Sequence, residues 1–294
     1  MTPGRSYPVT MGKRLQGTYP KEDMMLELKR DWKAIFTDID GTLLNSKREM
    51  SAKTRDALRR CVRDGVRVVL SSSRSPQGIE PIVSANDLAC CIIAFGGALV
   101  LDEDRTRLHE RGMGKAEAVE VVDFIESELR DVTWNAFTAD EWVVRSREDP
   151  RVLREERIVH TLARAGLVRD LPDDKMVDKV LCMCSPERSA EVECTLKHRF
   201  PSLSISRSSD ILVEVNAAGV SKAVALRAFC EAKGIRVEDT LAFGDNYNDL
   251  EMLRAAGLGV AMGNAPDDIR DIAGFVTSDN DHDGIACALR TLMA

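Results

Sequence analysis

Residues 33–46 read Lys33-Ala-Ile-Phe-Thr-Asp38-Ile-Asp40-Gly41-Thr42-Leu-Leu-Asn-Ser46. A short apolar run, bounded on both sides, meets two carboxylates at i and i+2, then a glycine and a hydroxyl. Its brevity predicts a buried strand over 34–38 rather than a helix. Residues two apart in extended chain face the same side, so Asp38 and Asp40 converge on one small volume. Such strand ends are where open α/β sheets bind ligands. Carboxylates that close repel each other, and a divalent cation is the usual way to keep both useful at neutral pH. The plain alternative is an acidic turn ending in glycine.

Outward from this motif the pattern alternates. Ser51 caps a helix running to about Asp64, which Gly65 ends. Val66 to Leu70 is an unbroken apolar strand, a helix covers Pro76 to Asn86, and Cys90 to Phe95 is the next strand. Gly96-Gly97 turns that strand into a hairpin with Ala98 to Leu101. Strands alternating with helices predict an α/β fold with a doubly wound, Rossmann-like parallel sheet.

The middle third departs from this rhythm. A helix over Lys115 to Arg130 precedes strands at Val132–Phe137 and Glu141–Arg145. The same order returns as a helix from Pro186 to Arg199, with proline at its first position, then strands at Ser202–Ser206 and Ile211–Val215. Lys179 to Cys184 is a further strand, and residues 171–174 form a loop. These units define an inserted α/β domain over 113–209, leaving 31–112 and 210–294 as the core. Gly112, Gly114 and Gly219 lie near the two connections, at 110–114 and 208–219, and predict hinges there. Alternation then resumes: Ser221 caps a helix ended by Gly234, Thr240–Phe243 is a strand, and a helix starts near Asn248. Gly257–Met262 is another strand, with helices near Pro266–Ile272 and Gly284–Met293.

The chain has 294 residues, 44% of them apolar and 30% charged, ordinary values for a globular chain of about two domains. They argue against intrinsic disorder. The net charge of -7 argues against nucleic acid or an anionic membrane as partner. The longest run without a charged or strongly polar residue, 88–101, falls short of the ~18 a spanning helix needs. Eight cysteines contain no CxxC pair and accompany four histidines, so they are expected to be small buried hydrophobes in a reducing cytoplasm. Residues 1–30 resemble nothing that packs and lack the apolar stretch of a secretory signal. They are expected to be a flexible extension or to include residues ahead of a natural start at Met24 or Met25.

Three further segments fall at matching strand ends. Gly244-Asp245-Asn246-Tyr247-Asn248-Asp249 brings two carboxylates and amides, hard donors that suit Mg²⁺. Asn248, with Glu251 three residues on, reads equally well as a helix cap or a substrate contact. Ser71-Ser72-Ser73-Arg74 offers a hydroxyl and backbone N–H groups at a strand-to-helix junction, suited to phosphate oxygens. Lys222, beside the Ser221 cap, places an ammonium at a helix start, against the helix dipole. Together they equip a site for phosphoryl transfer, in which positioning and charge stabilisation dominate.

On these residues the chain resembles the haloacid dehalogenase-like hydrolase superfamily, and within it the Cof-type sugar-phosphatase branch with a class IIB α/β cap. DIDGTLLNS (38–46), Ser72, Lys222 and GDNYND (244–249) match the superfamily's four motifs in order. AMGNAP (261–266) and VTSDNDHDGIA (276–286) match the branch's C-terminal pattern. The resemblance covers about 31–294. It implies that Asp38 attacks phosphorus to form an aspartyl-phosphate and that Asp40 protonates the leaving oxygen and then activates water. It implies Mg²⁺ held by Asp38, the Asp40 carbonyl and Asp245, with Asp249 supporting. Ser72, the Ser73 N–H, Lys222 and Asn248 would hold the phosphoryl group, and the cap would choose the substrate. The branch usually has Thr-Gly-Arg-Pro where this chain has Ser72-Ser73-Arg74-Ser75, Asn-Gly-Ala where it has Gly96-Gly97-Ala98, and Lys-Gly where it has Lys222-Ala223. The first two changes line the cleft and bear on substrate identity.

The function expected is therefore a cytoplasmic Mg²⁺-dependent phosphatase of a small phosphorylated metabolite, sugar phosphates among the candidates. A phosphomutase of the same fold and a silent binding or regulatory homologue are the alternatives. Oligomeric state is left open.

Overall fold

In a computed structural model, which describes residues 31–159 and 161–293, the opening motif begins with strand β1, Ala34–Thr37. The extension expected over 1–30 lies outside the described residues. After β1 come α1 (Ala52–Arg63), β2 (Arg67–Ser71), α2 (Pro76–Asn86), β3 (Cys91–Ala94), β4 (Leu99–Leu101) and β5 (Arg107–Glu110). The middle region holds α3 (Lys115–Glu128), β6 (Thr133–Phe137), β7 (Trp142–Val144), α4 (Pro150–Val159) and β8 (Arg164–Ala165). It continues through β9 (Lys179–Met183), α5 (Ser189–Arg199), β10 (Ser204–Ser209) and β11 (Leu212–Asn216). The chain returns through α6 (Lys222–Lys233), β12 (Thr240–Gly244), α7 (Leu250–Ala255) and β13 (Leu258–Ala261). It closes with α8 (Asp267–Ile272), β14 (Phe275–Val276) and α9 (Gly284–Leu292).

Two sheets result. The larger has order β14-β13-β12-β1-β2-β3-β4-β5, parallel from β14 to β3, with β4 and β5 antiparallel. Side chains on β1 alternate between its faces. Ile35 joins a layer with Leu58, Ile79 and Leu289 of α1, α2 and α9. Ala34 and Phe36 join one with Phe229, Met252 and Ile269 of α6, α7 and α8. Helices therefore cover both faces, which explains why the parallel strands read as unbroken apolar runs. The capping serines act as their positions predict: Ser51 Oγ accepts from Thr54 N–H and Ser221 Oγ from Val224 N–H.

The smaller sheet has order β10-β11-β9-β6-β7-β8. One face packs on α3 and α5, through Val121, Ile125, Val192 and Leu196 against Ala136, Val180 and Val213. The other presents Phe137, Trp142, Leu181 and Met183 to the apolar cluster of the larger sheet. A boundary at 209 divides a hairpin, because β11 pairs with both β10 and β9. The insert's sheet thus extends to Asn216, and the return connection is 217–221. The outgoing connection is tied to the insert by a backbone bridge between Met113 and Val177.

Three expectations need correction. The helix expected from Pro186 starts at Ser189, because a turn closed by Arg188 N–H on Ser185 O comes first. The helix expected near Asn248 starts at Leu250, after a 3₁₀ turn over Tyr247–Asp249. All eight cysteines are free and six are buried, but Cys194 is exposed and Cys287 half-buried on helix surfaces. Among the described residues, no helix is long and apolar enough to cross a membrane.

Candidate active site

Strand β1 is the switch point of the larger sheet: the chain leaves it towards β2 on one side and later returns to β12 on the other. Ligand crevices form at the carboxyl ends of such strands. Asp38 follows β1 directly and continues its ladder, its N–H donating to Phe243 O at 3.0 Å. Thr37 lies opposite Phe243 of β12 and Leu70 of β2, so Asp38, Asp245 and Ser72 emerge at one end of three adjacent strands.

Asp38 is 6% exposed and Lys222 3%. The Lys222 ammonium donates to Asp38 Oδ1 and to Asp249 Oδ1, the latter at 2.7 Å. Lys222 is the first residue of α6, and the turn at Gly97 packs against that helix start. A Cβ on Gly97, at φ +118°, would stand 2.3 Å from Ser221 O, so only glycine lets the two backbones approach. Asp249 is fully buried, and its Oδ2 accepts from Asp245 N–H at 3.0 Å and Asn246 N–H at 3.1 Å. Its carboxylate thereby fixes both Lys222 and the loop that carries Asp245.

Asp245 is half-buried, and its Oδ1 accepts from Thr42 Oγ1 at 2.6 Å. Gly41, at φ +91°, lies against this carboxylate: a Cβ there would sit 2.4 Å from Asp245 Oδ2. Gly41 is thus required twice, for its backbone conformation and for the approach of Asp245.

Carboxylate oxygens of Asp38, Asp245 and Asp249 lie within 4.8 Å of one another. Among the described residues, one ammonium, Lys222, contacts this group. Burial pushes the Asp38 carboxyl up to about 8, against the pull of Lys222. Burial likewise raises Asp245 to about 6, against its Thr42 hydrogen bond. For Lys222, burial opposes the charge, but Asp249 and Asp38 outweigh it and hold the ammonium above the usual lysine range. Three carboxylates facing one cation leave the pocket short of positive charge. A divalent cation with hard oxygen ligands fits that deficit.

Asp40 stands apart from this cluster. It is exposed, and Arg74 grips its carboxylate with two bonds, Nε to Oδ2 at 2.8 Å and Nη2 to Oδ1 at 2.7 Å. Ser72 is buried, and its Oγ accepts from Arg74 N–H at 3.2 Å. Ser73 is half-buried, and its carbonyl accepts from Lys179 Nζ of the insert at 2.6 Å. Asn248 is exposed. It does not cap the following helix, because Asn246 and Asp249 form the capping box instead.

Sequence reasoning passed over Thr42, Arg74, Lys179 and Asn264 as site residues. Asn264 Nδ2 donates to Gly41 O at 2.9 Å and approaches Asp245 Oδ2 at 3.4 Å, bracing the motif from the β13 side. Thr42, Arg74 and Asn264 all lie inside motifs already singled out, and that position was the available signal. Lys179 begins an ordinary strand and had none.

Residues 35–289 match the family model of haloacid dehalogenase-like hydrolases. The 5-amino-6-(5-phospho-D-ribitylamino)uracil phosphatase YcsE of Bacillus subtilis is 31% identical over 260 residues, 88% of this chain and 95% of that protein. Phosphatase YwpJ of the same organism is 28% identical over 288 residues, 89% of this chain and 100% of its own length. Among solved structures, the subclass IIB sugar phosphatase BT4131 superposes with a TM-score of 0.73 at 25% identity, covering 88% of this chain and 98% of its own.

Proposed function

The chain belongs to the haloacid dehalogenase-like hydrolases and is a phosphatase of that family; from this premise we propose that Asp38 is its nucleophile and Asp40 its acid and base. The observation that carries the reading is the buried Asp38–Lys222–Asp249 triad at the switch point, with Asp245 beside it. Asp38 attacks phosphorus and the bond to the leaving oxygen breaks. Asp40 gives that oxygen a proton. Asp40 then takes a proton from water, which attacks the aspartyl-phosphate, releases inorganic phosphate and restores Asp38. The ammonium of Lys222, the hydroxyl of Ser72 and the N–H of Ser73 face the charge that the phosphoryl oxygens carry, with Asn248 a further contact.

Asp38, the Asp40 carbonyl and Asp245 would hold Mg²⁺, with Asp249 supporting. When bound, the ion supplies positive charge to the carboxylates and the phosphoryl oxygens. The substrate is a small phosphorylated metabolite, and the names of the relatives favour esters of sugars or sugar-like chains. We assign 31–112 and the segment after 216 to the catalytic core and the sheet between them to a cap that closes over it.

Product analysis with a hexose monophosphate and Mg²⁺ tests this. Release of inorganic phosphate with free sugar is the expected result. An isomeric sugar phosphate in its place would make the protein a mutase.

A further inference from the structure

We propose that Ser71 is a positioning residue for the nucleophile: its hydroxyl holds the Asp38 carboxylate while the charge of Lys222 is drawn to the phosphoryl group. The inference rests on the reading of Asp38 as the nucleophile and adds a residue to that machinery.

Ser71 closes β2 and is fully buried. Among the described residues, its Oγ is the one buried hydroxyl oxygen without a hydrogen-bond partner. Three other hydroxyls of the site are engaged. Thr37 Oγ1 donates to Asp38 O at 2.8 Å, Thr42 Oγ1 donates to Asp245 Oδ1 at 2.6 Å, and Ser72 Oγ accepts from Arg74 N–H at 3.2 Å. A buried hydroxyl left unpaired lowers stability, and alanine in its place removes that penalty. An orphan of this kind points to a partner engaged during function.

The sheet register identifies that partner. Thr37 of β1 stands opposite Leu70 of β2, and the Asp38 N–H extends the ladder between β1 and β12. One step on, Asp38 stands opposite Ser71, with the two backbones about 5 Å apart, and residues in register on neighbouring strands point to one face. For this row it is the face that α6 covers. Ser71 is opposite Ile93 and Ile93 opposite Val100, and both of these pack with Leu226 and Phe229. On the other flank of Asp38, a Cβ on Gly244 would stand 2.5 Å from Asp249 Cβ. Asp38 therefore sits between the Asp249 carboxylate on one side and the Ser71 hydroxyl on the other, and Lys222 bonds only the two carboxylates.

Among the described residues, the Asp38 side chain takes one hydrogen bond, from Lys222 to Oδ1. In the reaction the same ammonium faces the charge on the phosphoryl oxygens. As that charge arrives, the hold of Lys222 on Asp38 weakens, and a carboxylate that turns out of line loses its attack geometry. The Ser71 Oγ–H rotates to suit, donates to the carboxylate and keeps it aligned. Its proton stays on Oγ, and no covalent bond to the serine forms or breaks. Asp38 departs from phosphorus as a carboxylate when water attacks, so the same donor serves both halves of the reaction.

Steady-state kinetics on the full chain with Mg²⁺ test the assignment, using Ser71→Ala and Ser71→Cys on p-nitrophenyl phosphate and ribitol 5-phosphate. We expect kcat of Ser71→Ala to fall about tenfold on both esters, with KM changed less than about twofold and Tm unchanged or higher. Ser71→Cys keeps a weak donor in the same place and should recover part of the loss. An unchanged kcat in Ser71→Ala, a loss that accompanies a fall in Tm, or equal losses in the alanine and cysteine variants would overturn the role. Asp38→Asn in the same assay separates the two readings. Turnover retained there would refute Asp38 as the nucleophile, whereas an inactive Asp38→Asn beside a fully active Ser71→Ala would refute Ser71 alone.

Discussion

Arg74 holds both oxygens of the Asp40 carboxylate in a fork, at 2.8 and 2.7 Å. The same residue's N–H donates to Ser72 Oγ. One arginine thus fixes the proposed proton donor and the proposed phosphoryl clamp relative to each other. Its own loop is fixed in turn by Lys179 of the insert, on the Ser73 carbonyl.

The fork makes Arg74 a positioning residue for proton transfer. Arg74→Lys keeps the charge but loses the paired geometry. It should lower kcat about tenfold on an alkyl phosphate, whose poor leaving group needs the proton. The loss on p-nitrophenyl phosphate should be smaller, because that leaving group departs without help. Equal losses on the two esters would separate Arg74 from Asp40 in function.

Asp38→Asn should abolish turnover, by at least about 10³-fold or about 4 kcal/mol of transition-state stabilisation. Stability should not fall with it. The change removes one carboxylate from a buried group of three, leaving Lys222 paired with Asp249. The expected result is an inactive protein with an unchanged or higher Tm, read by thermal melting beside the assay.

Mg²⁺ should raise the Tm of the protein by mass action, and EDTA should abolish activity reversibly. In Asp245→Asn the thermal shift should shrink sharply. Ca²⁺, which prefers more ligands and looser geometry, should not restore turnover. Full activity after exhaustive chelation would remove the metal from the proposal.

Asp178 gives a pH prediction away from the site. It is fully buried, and neither carboxylate oxygen has a hydrogen-bond partner among the described residues. Burial pushes its carboxyl up to about 8, and Glu110 adds to the rise while Arg107 opposes it. The folded state therefore binds this proton more tightly than the unfolded state does. Stability from this group is present at low pH and is lost as pH rises from about 4 towards 8. Asp178→Asn, which cannot ionise, should match the wild type near pH 4 and exceed it in Tm at pH 8. Parallel melting curves across that range would contradict the assignment.

Much of this fold was legible because its signals are local. Ser51 and Ser221 cap the helices their positions indicate, and the apolar runs at Ile35, Val68 and Leu241 became adjacent parallel strands. What escaped depends on partners distant in the chain. β5, Arg-Leu-His-Glu, has no apolar alternation and forms because β4 offers it an edge. α4 is rich in Arg and Glu and docks on the core-facing side of the insert's sheet through Val152. The site divides the same way. The carboxylates announced themselves by spacing, whereas the Arg74 fork forms only once the loop after β2 folds beside the first motif, and the Lys179 bridge to Ser73 only after the insert's sheet meets the core.

The central strand β1 pairs with β2 on one side and with β12, from the far end of the chain, on the other. A ribosome makes β1 and β2 early and β12 only after the whole insert. Until then one long edge of β1 stands open, and an open edge of apolar strand invites pairing with other chains. High contact order of this kind slows folding and prolongs that exposure. Cells making this protein should therefore need chaperone cover through most of its synthesis, and truncations before Thr240 should precipitate rather than accumulate as soluble fragments.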